Sequence, residues 1–569
     1  MLKLDLTFKG KLDSEIKVLS NKIVNQSRTP FTQIVSKLSE PMKGSINWWV
    51  EGPSSRNPIT SPFFHYYCAF SLVDELIEQG YTISEIVVDS FAFKKILKQY
   101  FQLKRKPIII KYKDNTLLFY FKQLIIPFFK IFRTIYYNMY KYISAKKTKY
   151  LKKIVPNSPL TLIDIFAVPG HISKDRYYNG LLDTLTFKEK ETIFFVPTLV
   201  FIPMKNLISA FKELRISDRN FLIKEDYLKV SDILFSLGHI FKLLNFRIKP
   251  IIVFNIDISS LVREELISMK GYPNAVEGLL NYRFAKRLNE QKIKLRQVIN
   301  WFENQVVDKG WNAGFNKYYS NSPTIGYKGF HSIYQYLCAY PSEIENRNCI
   351  LPSTIAVVGD GLVESTKEFA SNLKIEIAPA FRFHNVWNER TAKPNPHYFT
   401  IVVALSIFQE DSIHLLNQLI KYMNSTITKK MRIWVKAHPV LPIEKIKAQV
   451  KDWPNSFNIV YEDFSKIIIK TDLMISSASS TSVEALAYGV PVLVVNNNSF
   501  FNYNTIPNEI PKVLWRVCQS LADLENAIDF YRDRSDEEIK EYKKIGLKIR
   551  KNYFSTVTKE SVRKFLLLD

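Results

Sequence analysis

Residues 469–495 read IKTDLMISSASSTSVEALAYGVPVLVV, and that order of side chains permits few folds. The apolar run at 473–475 has the character of a buried strand, a cluster of hydroxyl side chains follows it, and 483–488 opens a helix. Gly489, Val490 and Pro491 stop the helix, and PVLVV supplies another strand. A helix crossing back between two strands makes those strands parallel members of an α/β sheet. Such a unit also gathers hydroxyls and unpaired backbone N–H groups at a helix start, where an anion is stabilised. Glu484, in the first turn, stands near enough to hydrogen-bond a sugar hydroxyl of the same ligand. The spacing suits a nucleotide held at the carboxyl edge of a parallel sheet.

Strands alternating with helices run through most of the chain. Short apolar runs at 45–50 (SINWWV), 83–89, 107–111, 160–166, 192–200 and 251–256 are separated by helical patterns such as 70–78 and 205–214. Residues 275–308 turn helical and heavily charged. A second series starts at 354–358 (TIAVV) and continues through 398–404, 432–436, 457–461, 473–476 and 492–495. The 569 residues are too many for one ordinary domain. The natural division is two Rossmann-like domains facing a cleft, 1–350 and 351–520, with 521–569 as helices packing back on the body.

Residues 115–154 break the pattern, with nine Lys or Arg, no carboxylate and many aromatic side chains. Lys122, Lys130 and Arg133 interrupt the apolar stretch too often for a bilayer span, which needs about 20 mainly apolar residues. Bulky aromatics beside cations describe an interfacial amphipathic element; the plainer alternative is a helical insertion whose aromatic side covers the N-terminal sheet. A formal charge of +25 implies an anionic partner. An acidic inner-membrane surface is expected rather than nucleic acid, for which no recognition motif is present. Cys68, Cys338, Cys349 and Cys518 form no CxxC pair, which argues against a zinc site and against a disulfide framework. The first residues contain no apolar signal core, so a cytoplasmic location with peripheral attachment to the inner membrane is expected.

The second motif, Lys436-Ala437-His438-Pro439, directly follows the strand-like RIWV. A strand end puts His438 at the rim of the sheet, and Pro439 fixes the turn. His438 would give a proton or a charged hydrogen bond to a leaving phosphate, and Lys436 would add positive charge. Together, Lys436, His438, Pro439, the hydroxyls of 476–482, Glu484 and Gly489-Val490-Pro491 resemble the donor half of glycosyltransferases of the GT-B fold. Within that fold the two motifs are most similar to CMP-sugar enzymes, the bacterial sialyltransferases and Kdo transferases. The whole chain resembles bacterial surface-carbohydrate biosynthesis proteins, of the kind that build lipopolysaccharide and capsule. The resemblance implies that His438 assists departure of the nucleotide, that Ser479, Ser480 and Thr481 bind its phosphate, and that Glu484 holds its ribose. It also implies that Gly359 and Gly361, in PSTIAVVGDGLVE, let the backbone approach the ligand. The implied substrate is a nucleotide sugar, CMP-linked by preference, with no cofactor and no metal. Asp360 departs from the sialyltransferase pattern, whose acidic-Gly element lies in the N-terminal domain, and reads as a turn residue.

Inverting transfer needs a base for the acceptor hydroxyl. The stretch NWFENQVVDKGWNAG, 300–314, offers Glu303 and Asp308 among aromatics and glycines. A carboxylate shielded by Trp301 and Trp311 would have a raised pKa; a capped helix end is the competing reading. Glu51 and Asp175 follow expected strands, with Arg56 and Arg176 close by to meet an acidic acceptor or a donor carboxylate. Lys224, Glu225 and Asp226 read as a helix face. The function these residues favour is transfer of a sugar, Kdo or sialic-acid-like, onto a surface glycan or lipid-linked acceptor. The alternatives are a CDP-polyol phosphotransferase, a nucleotide-sugar epimerase and a non-catalytic membrane-bound scaffold.

Overall fold

The structure, a computed structural model, describes residues 2–568 apart from 9, 115, 244, 389–396, 426–429 and 478, and the side chains of 116–120, 122–124, 388 and 425 are likewise outside the description. Strands β1 (Leu2–Asp5), β2 (Ile83–Val88) and β3 (Ile109–Tyr112) form a small parallel sheet in that order. The first large sheet begins with β4 (Leu160–Ala167) and β5 (Ile193–Leu199). Strands β6 (Ile252–Val253) and β7 (Ile256–Asp257) are a separate antiparallel pair. Strands β8 (Leu295–Trp301), β9 (Thr324–Lys328), β10 (Thr354–Val357) and β11 (Ile375–Ile377) complete the first large sheet in the order β11-β10-β9-β8-β4-β5. The second comprises β12 (Phe399–Ala404), β13 (Met431–Lys436), β14 (Phe457–Ile459), β15 (Leu473–Ser476), β16 (Val492–Val495) and β17 (Trp515–Cys518), ordered β14-β13-β12-β15-β16-β17. Every pairing in both large sheets is parallel. Such strands are covered on both faces and so read as continuous apolar runs; Leu473, Met474 and Ile475 are fully buried. Two Rossmann-like halves thus face a cleft in the GT-B arrangement, with a basic, aromatic helix inserted in the N-terminal half.

The order of each large sheet fixes where a ligand can sit. In the second, the chain builds outward from β12 to β14, then returns to place β15 on β12's other side. The crevice between oppositely directed crossovers opens at the carboxyl ends of β12 and β15. In the first, the same reversal falls between β4 and β8.

Several elements differ from the sequence reading. Residues 45–50 form no strand; Ile46–Trp49 is a single helical turn. A strand would send Trp48 and Trp49 to opposite faces, whereas here both are buried against helices and Trp48 Nε1 donates to Ser39 Oγ at 2.9 Å. Residues 354–358 do not open the second series: β10 pairs with β9, with Ile355 opposite Gly326, and so extends the first sheet. The run at 251–256 stays outside the large sheets as β6 and β7. Within the supposedly helical 275–308, β8 is a central strand. Lys224, Glu225 and Asp226 are buried rather than on a helix face, with Lys224 Nζ donating to Glu277 at 2.6 Å and Arg215 paired with Asp226 at 2.8 Å.

The C-terminal helices Leu521–Arg532, Asp536–Tyr553 and Lys559–Phe565 tie the halves together. Gln297 Nε2, on β8, donates to Phe565 O at 3.1 Å, and Arg563 pairs with Glu189. A Cβ on Gly359 would lie 2.5 Å from Asn552 O, and one on Gly361 would lie 2.7 Å from the Tyr553 ring. These two glycines admit the end of helix Asp536–Tyr553, not a ligand, which corrects the donor-binding role expected of them.

Candidate functional site between the two sheets

Five loops at carboxyl edges, three from the first large sheet and two from the second, bring the polar side chains of the cleft together. From β4 comes the loop carrying Arg176. Asp175, whose carboxylate is fully buried, accepts hydrogen bonds from Tyr177 N at 2.7 Å and Tyr178 N at 3.1 Å and pairs with Arg219 at 3.5 Å. It is therefore a staple of this loop rather than an acceptor-binding group. The fold it imposes lays Tyr177 on Trp301, ring centroids 4.2 Å apart, and lets Arg176 Nη2 donate to Tyr177 Oη at 3.0 Å.

From β8 comes Glu303. Trp301 Nε1 donates to its Oε1 at 2.9 Å and Gln305 Nε2 to its Oε2 at 2.5 Å, so both carboxylate oxygens are oriented by neutral donors. Asp308 lies deeper and does different work. Its Oδ2 accepts from Glu303 N at 3.1 Å and Gln305 N at 2.9 Å, which caps the helix Val306–Tyr318. Burial pushes its carboxyl well above the usual range. Asp308 is a helix cap, and Glu303 alone of the two reaches the cleft.

The third loop follows β11. Tyr327 Oη donates to Pro379 O at 2.8 Å and accepts from Phe381 N at 3.2 Å, fixing the turn Phe381–Phe383. Phe381 and Phe383 are buried while Arg382 between them is solvent-accessible. Its guanidinium acts electrostatically on Glu303 of its own half and on Glu484 of the other. Sequence reasoning passed over Arg382, because an arginine in PAFRF carries no motif; only the burial of its two neighbours gives it a direction.

The second half contributes Glu484, His438 and the hydroxyl cluster. Glu484 is 8% exposed. Burial raises its pKa to about 7, with Arg382 opposing the shift. Ser479 Oγ and Thr481 Oγ1 lie 2.7 Å apart, Ser476 Oγ and Ser482 Oγ 2.8 Å, and Thr505 Oγ1 donates to Ser479 O at 2.6 Å. Ser477 Oγ is buried with no hydrogen-bond partner among the described residues, and Ser480 starts the helix Thr481–Ala487 as its N-cap. Lys436 is drawn elsewhere: Nζ donates to Glu462 O at 2.5 Å, because the strand end turns it toward the loop after β14.

His438 Nδ1 accepts from Val440 N at 3.3 Å, which leaves Nε2–H as the donor of the neutral ring. Burial, then Arg176 and Arg382, lower its pKa to about 4. At neutral pH it offers a neutral N–H rather than the charged hydrogen bond expected from sequence. An anion bound between the two guanidiniums would offset that field and raise the His438 pKa, so anion binding is expected to take up a proton near pH 5. Calorimetric titration in buffers of different ionisation enthalpy measures this uptake; the account expects it in the wild type and its loss in His438→Ala, and equal uptake in both contradicts it.

The remaining acceptor candidates are structural. Arg56 pairs with Glu345 at 2.7 Å, Lys309 with the same carboxylate at 2.8 Å, and all three are buried. Glu51 Oε1 lies 2.6 Å from His239 Nε2, beneath the helix layer, since it follows a helical turn and not a strand. A cavity of about 840 Å³ lined by Trp49, Tyr282, Lys317 and Tyr319 opens at the amino edge of the first sheet, away from these groups.

No protein-family model matches the chain, and no curated protein is similar to it in sequence. Among solved structures, it is similar to S. aureus MnaA in complex with UDP, at 10% identity and a TM-score of 0.43 over 72% of this chain and 98% of that one. UDP-GlcNAc 2-epimerase from Neisseria meningitidis bound to UDP-GlcNAc gives 10% identity and a TM-score of 0.42 over 72% and 100%. Acinetobacter baumannii MurG gives 10% and 0.39 over 72% and 100%. Likeness at this distance carries no information about chemistry.

Proposed function

We propose that the cleft binds a nucleotide sugar and catalyses cleavage of its anomeric bond. The observation that carries this reading is Arg382, which acts on Glu303 and Glu484 from opposite halves and, with Arg176, on His438. The anomeric C–O bond breaks and its electron pair leaves with the phosphate. Arg176 and Arg382 offset the charge that develops there, so a metal is not required in this scheme. His438 Nε2–H, Ser477, Ser479 and Thr481 supply neutral donors, and Glu484 holds the ribose. In the transfer reading, Glu303 takes the proton of an acceptor hydroxyl whose oxygen forms the new bond, and the acceptor is a glycan or a lipid-linked glycan of the cell surface.

Nucleotide-sugar epimerisation is the second reading, and the electrostatic coupling of Glu303 to Arg382 favours it. Arg382 acts on Glu303 as well as on Glu484; there Glu303 would take a proton from the sugar as the phosphate leaves, and return of a proton to the opposite face and of the phosphate oxygen to the anomeric carbon would complete the change. Two guanidiniums suit either a diphosphate or one phosphate with a sugar carboxylate, as in a CMP-linked donor. A panel of UDP-, GDP-, CDP- and CMP-activated sugars, read by thermal shift and by nucleotide release, separates these cases. At least one nucleotide sugar is expected to raise the melting temperature. Acceptor-dependent nucleotide release identifies a transferase, and a changed sugar without release an epimerase. A protein that no nucleotide sugar stabilises contradicts the reading.

A further inference from the structure

The helix Thr116–Lys147 leaves a large apolar stripe turned away from the body. Toward the body it turns the buried polar residues Thr134, Asn138, Lys141 and Ser144, with buried Ala145 and partly buried Ile131, Met139 and Tyr142 beside them, and Thr148 just past its end is buried as well. Lys141 is held by Glu277 at 2.7 Å and Glu225 at 3.4 Å. Away from the body it turns Phe121, Ile125, Phe128, Phe129, Phe132 and Tyr136, all exposed, with Phe128 and Phe132 each at 71%. These six recur at helical spacing on one stripe. An apolar stripe on a globular protein in water is normally turned inward; Tyr137, Tyr140 and Tyr142 do pack on the body, but the alternative reading, in which the aromatic side covers the N-terminal sheet, does not hold for this stripe.

The stripe has a definite place relative to the cleft. Tyr137 Oη donates to Ile202 O at 3.4 Å, beside the start of helix Leu207–Ile216, while Ala145 O and Thr148 Oγ1 accept from Arg215 near that helix's end. Helix Leu207–Ile216 follows β5, so its start marks the carboxyl edge of the first sheet. The inserted helix therefore reaches from Tyr137 back to Phe121 past that edge, by about 24 Å at helical rise. Phe201, 82% exposed in the loop after β5, adds to the apolar surface at the same edge.

We propose that this stripe lies in the interface of an anionic lipid bilayer and holds the carboxyl edge of the first sheet toward it. Charge complementarity selects this occupant. Residues 115–154 carry nine cations and no carboxylate; Lys141 is neutralised by Glu277 and Glu225, and the others leave a positive charge that anionic headgroups attract and that a second copy of the same face would repel. No helix among the described residues is long and apolar enough to cross a membrane, so the helix lies on the surface. Docking stands independently of the sugar chemistry. If the cleft acts as proposed, the bilayer also supplies the class of acceptor, one carried on a lipid.

Flotation of the full chain with phosphatidylcholine vesicles, with and without phosphatidylglycerol, tests the proposal. The wild type is expected to float only with the anionic vesicles, and less at high salt. Combining Phe128→Ser, Phe129→Ser and Phe132→Ser should lower partitioning on the order of 100-fold. The melting temperature should be unchanged, since none of the three packs on the body. As a second variant, Arg133→Glu should weaken binding to anionic vesicles alone. The proposal is overturned if the wild type stays in solution with both vesicles, or if the triple variant floats as well as the wild type. It is equally overturned if the wild type is a dimer in solution that the triple variant dissociates, which makes the face a contact between copies.

Discussion

Glu303→Gln is expected to lower turnover by roughly a thousand-fold while leaving nucleotide affinity nearly unchanged, the signature of a lost proton acceptor rather than a lost binding contact. Glutamine keeps the size of the side chain and one oxygen for the Trp301 and Gln305 donors, so the loop after β8 has little reason to move. It cannot take a proton. A radiochemical turnover assay beside a calorimetric nucleotide titration separates the two quantities. The change Asp308→Ala should behave differently. It weakens a buried helix cap, so melting temperature falls along with activity, and the fold effect precedes any kinetic one. If Glu303→Gln retains wild-type turnover, the base lies elsewhere.

Glu484→Gln should make stability less dependent on pH. Glu484 has a folded pKa of about 7 against an unfolded value near 4.3. Below the unfolded value the side chain is protonated in both states and folding incurs no penalty. As pH rises through the folded value, the native state must bury a charge that the unfolded chain exposes to water. The wild type therefore loses about 3 kcal/mol between pH 4 and pH 8 through this group. Glutamine is neutral throughout, so the variant should be more stable than the wild type at pH 8 by about that amount and equal to it at pH 4. Chemical denaturation at the two pH values measures the difference; equal stability at pH 8 means Glu484 is not buried as a lone carboxylate. Retention of a group that costs stability at neutral pH fits a binding role. The same variant should accordingly bind nucleotide more weakly despite its firmer fold.

How far the sequence could be read depended on how each residue's surroundings were encoded. The second half was legible almost strand by strand because β12, β15 and β16 are buried on both faces and spelled in branched apolar residues. Glu484 and the hydroxyl cluster follow such a strand directly, and the structure puts them at the switch point. The first half was less open. Strand β8 carries Arg296, Gln297 and Asn300 among its seven residues, and the polarity hid it within a helical pattern. Gln297 is buried there because the C-terminal helix returns to accept its hydrogen bond at Phe565 O, a contact over long sequence separation that no local pattern records. Strand β10 was visible, but a strand's composition does not say which sheet it joins. Arg382 has no local signature at all. Its importance comes from the turn that Tyr327 fixes and from a carboxylate on the other half.

The opposite lesson comes from Arg56, Lys309 and Glu345. Arg56, close to aromatics and a glycine, suggested an acceptor contact, yet it shares the buried Glu345 carboxylate with Lys309 in an ion cluster. The inserted helix shows the same logic turned outward. Its composition named an interfacial element, and only the burial of Thr134, Asn138 and Lys141 decided which side faces the solvent.

Hydrogen–deuterium exchange with and without a stabilising nucleotide sugar tests the central claim most directly, that one ligand is gripped by both halves. Added protection is expected in four segments at once: 176–178 and 381–383 from the first half, and 436–440 and 476–484 from the second. Protection confined to one half, or centred on the amino-edge cavity around Tyr282 and Lys317, would contradict it.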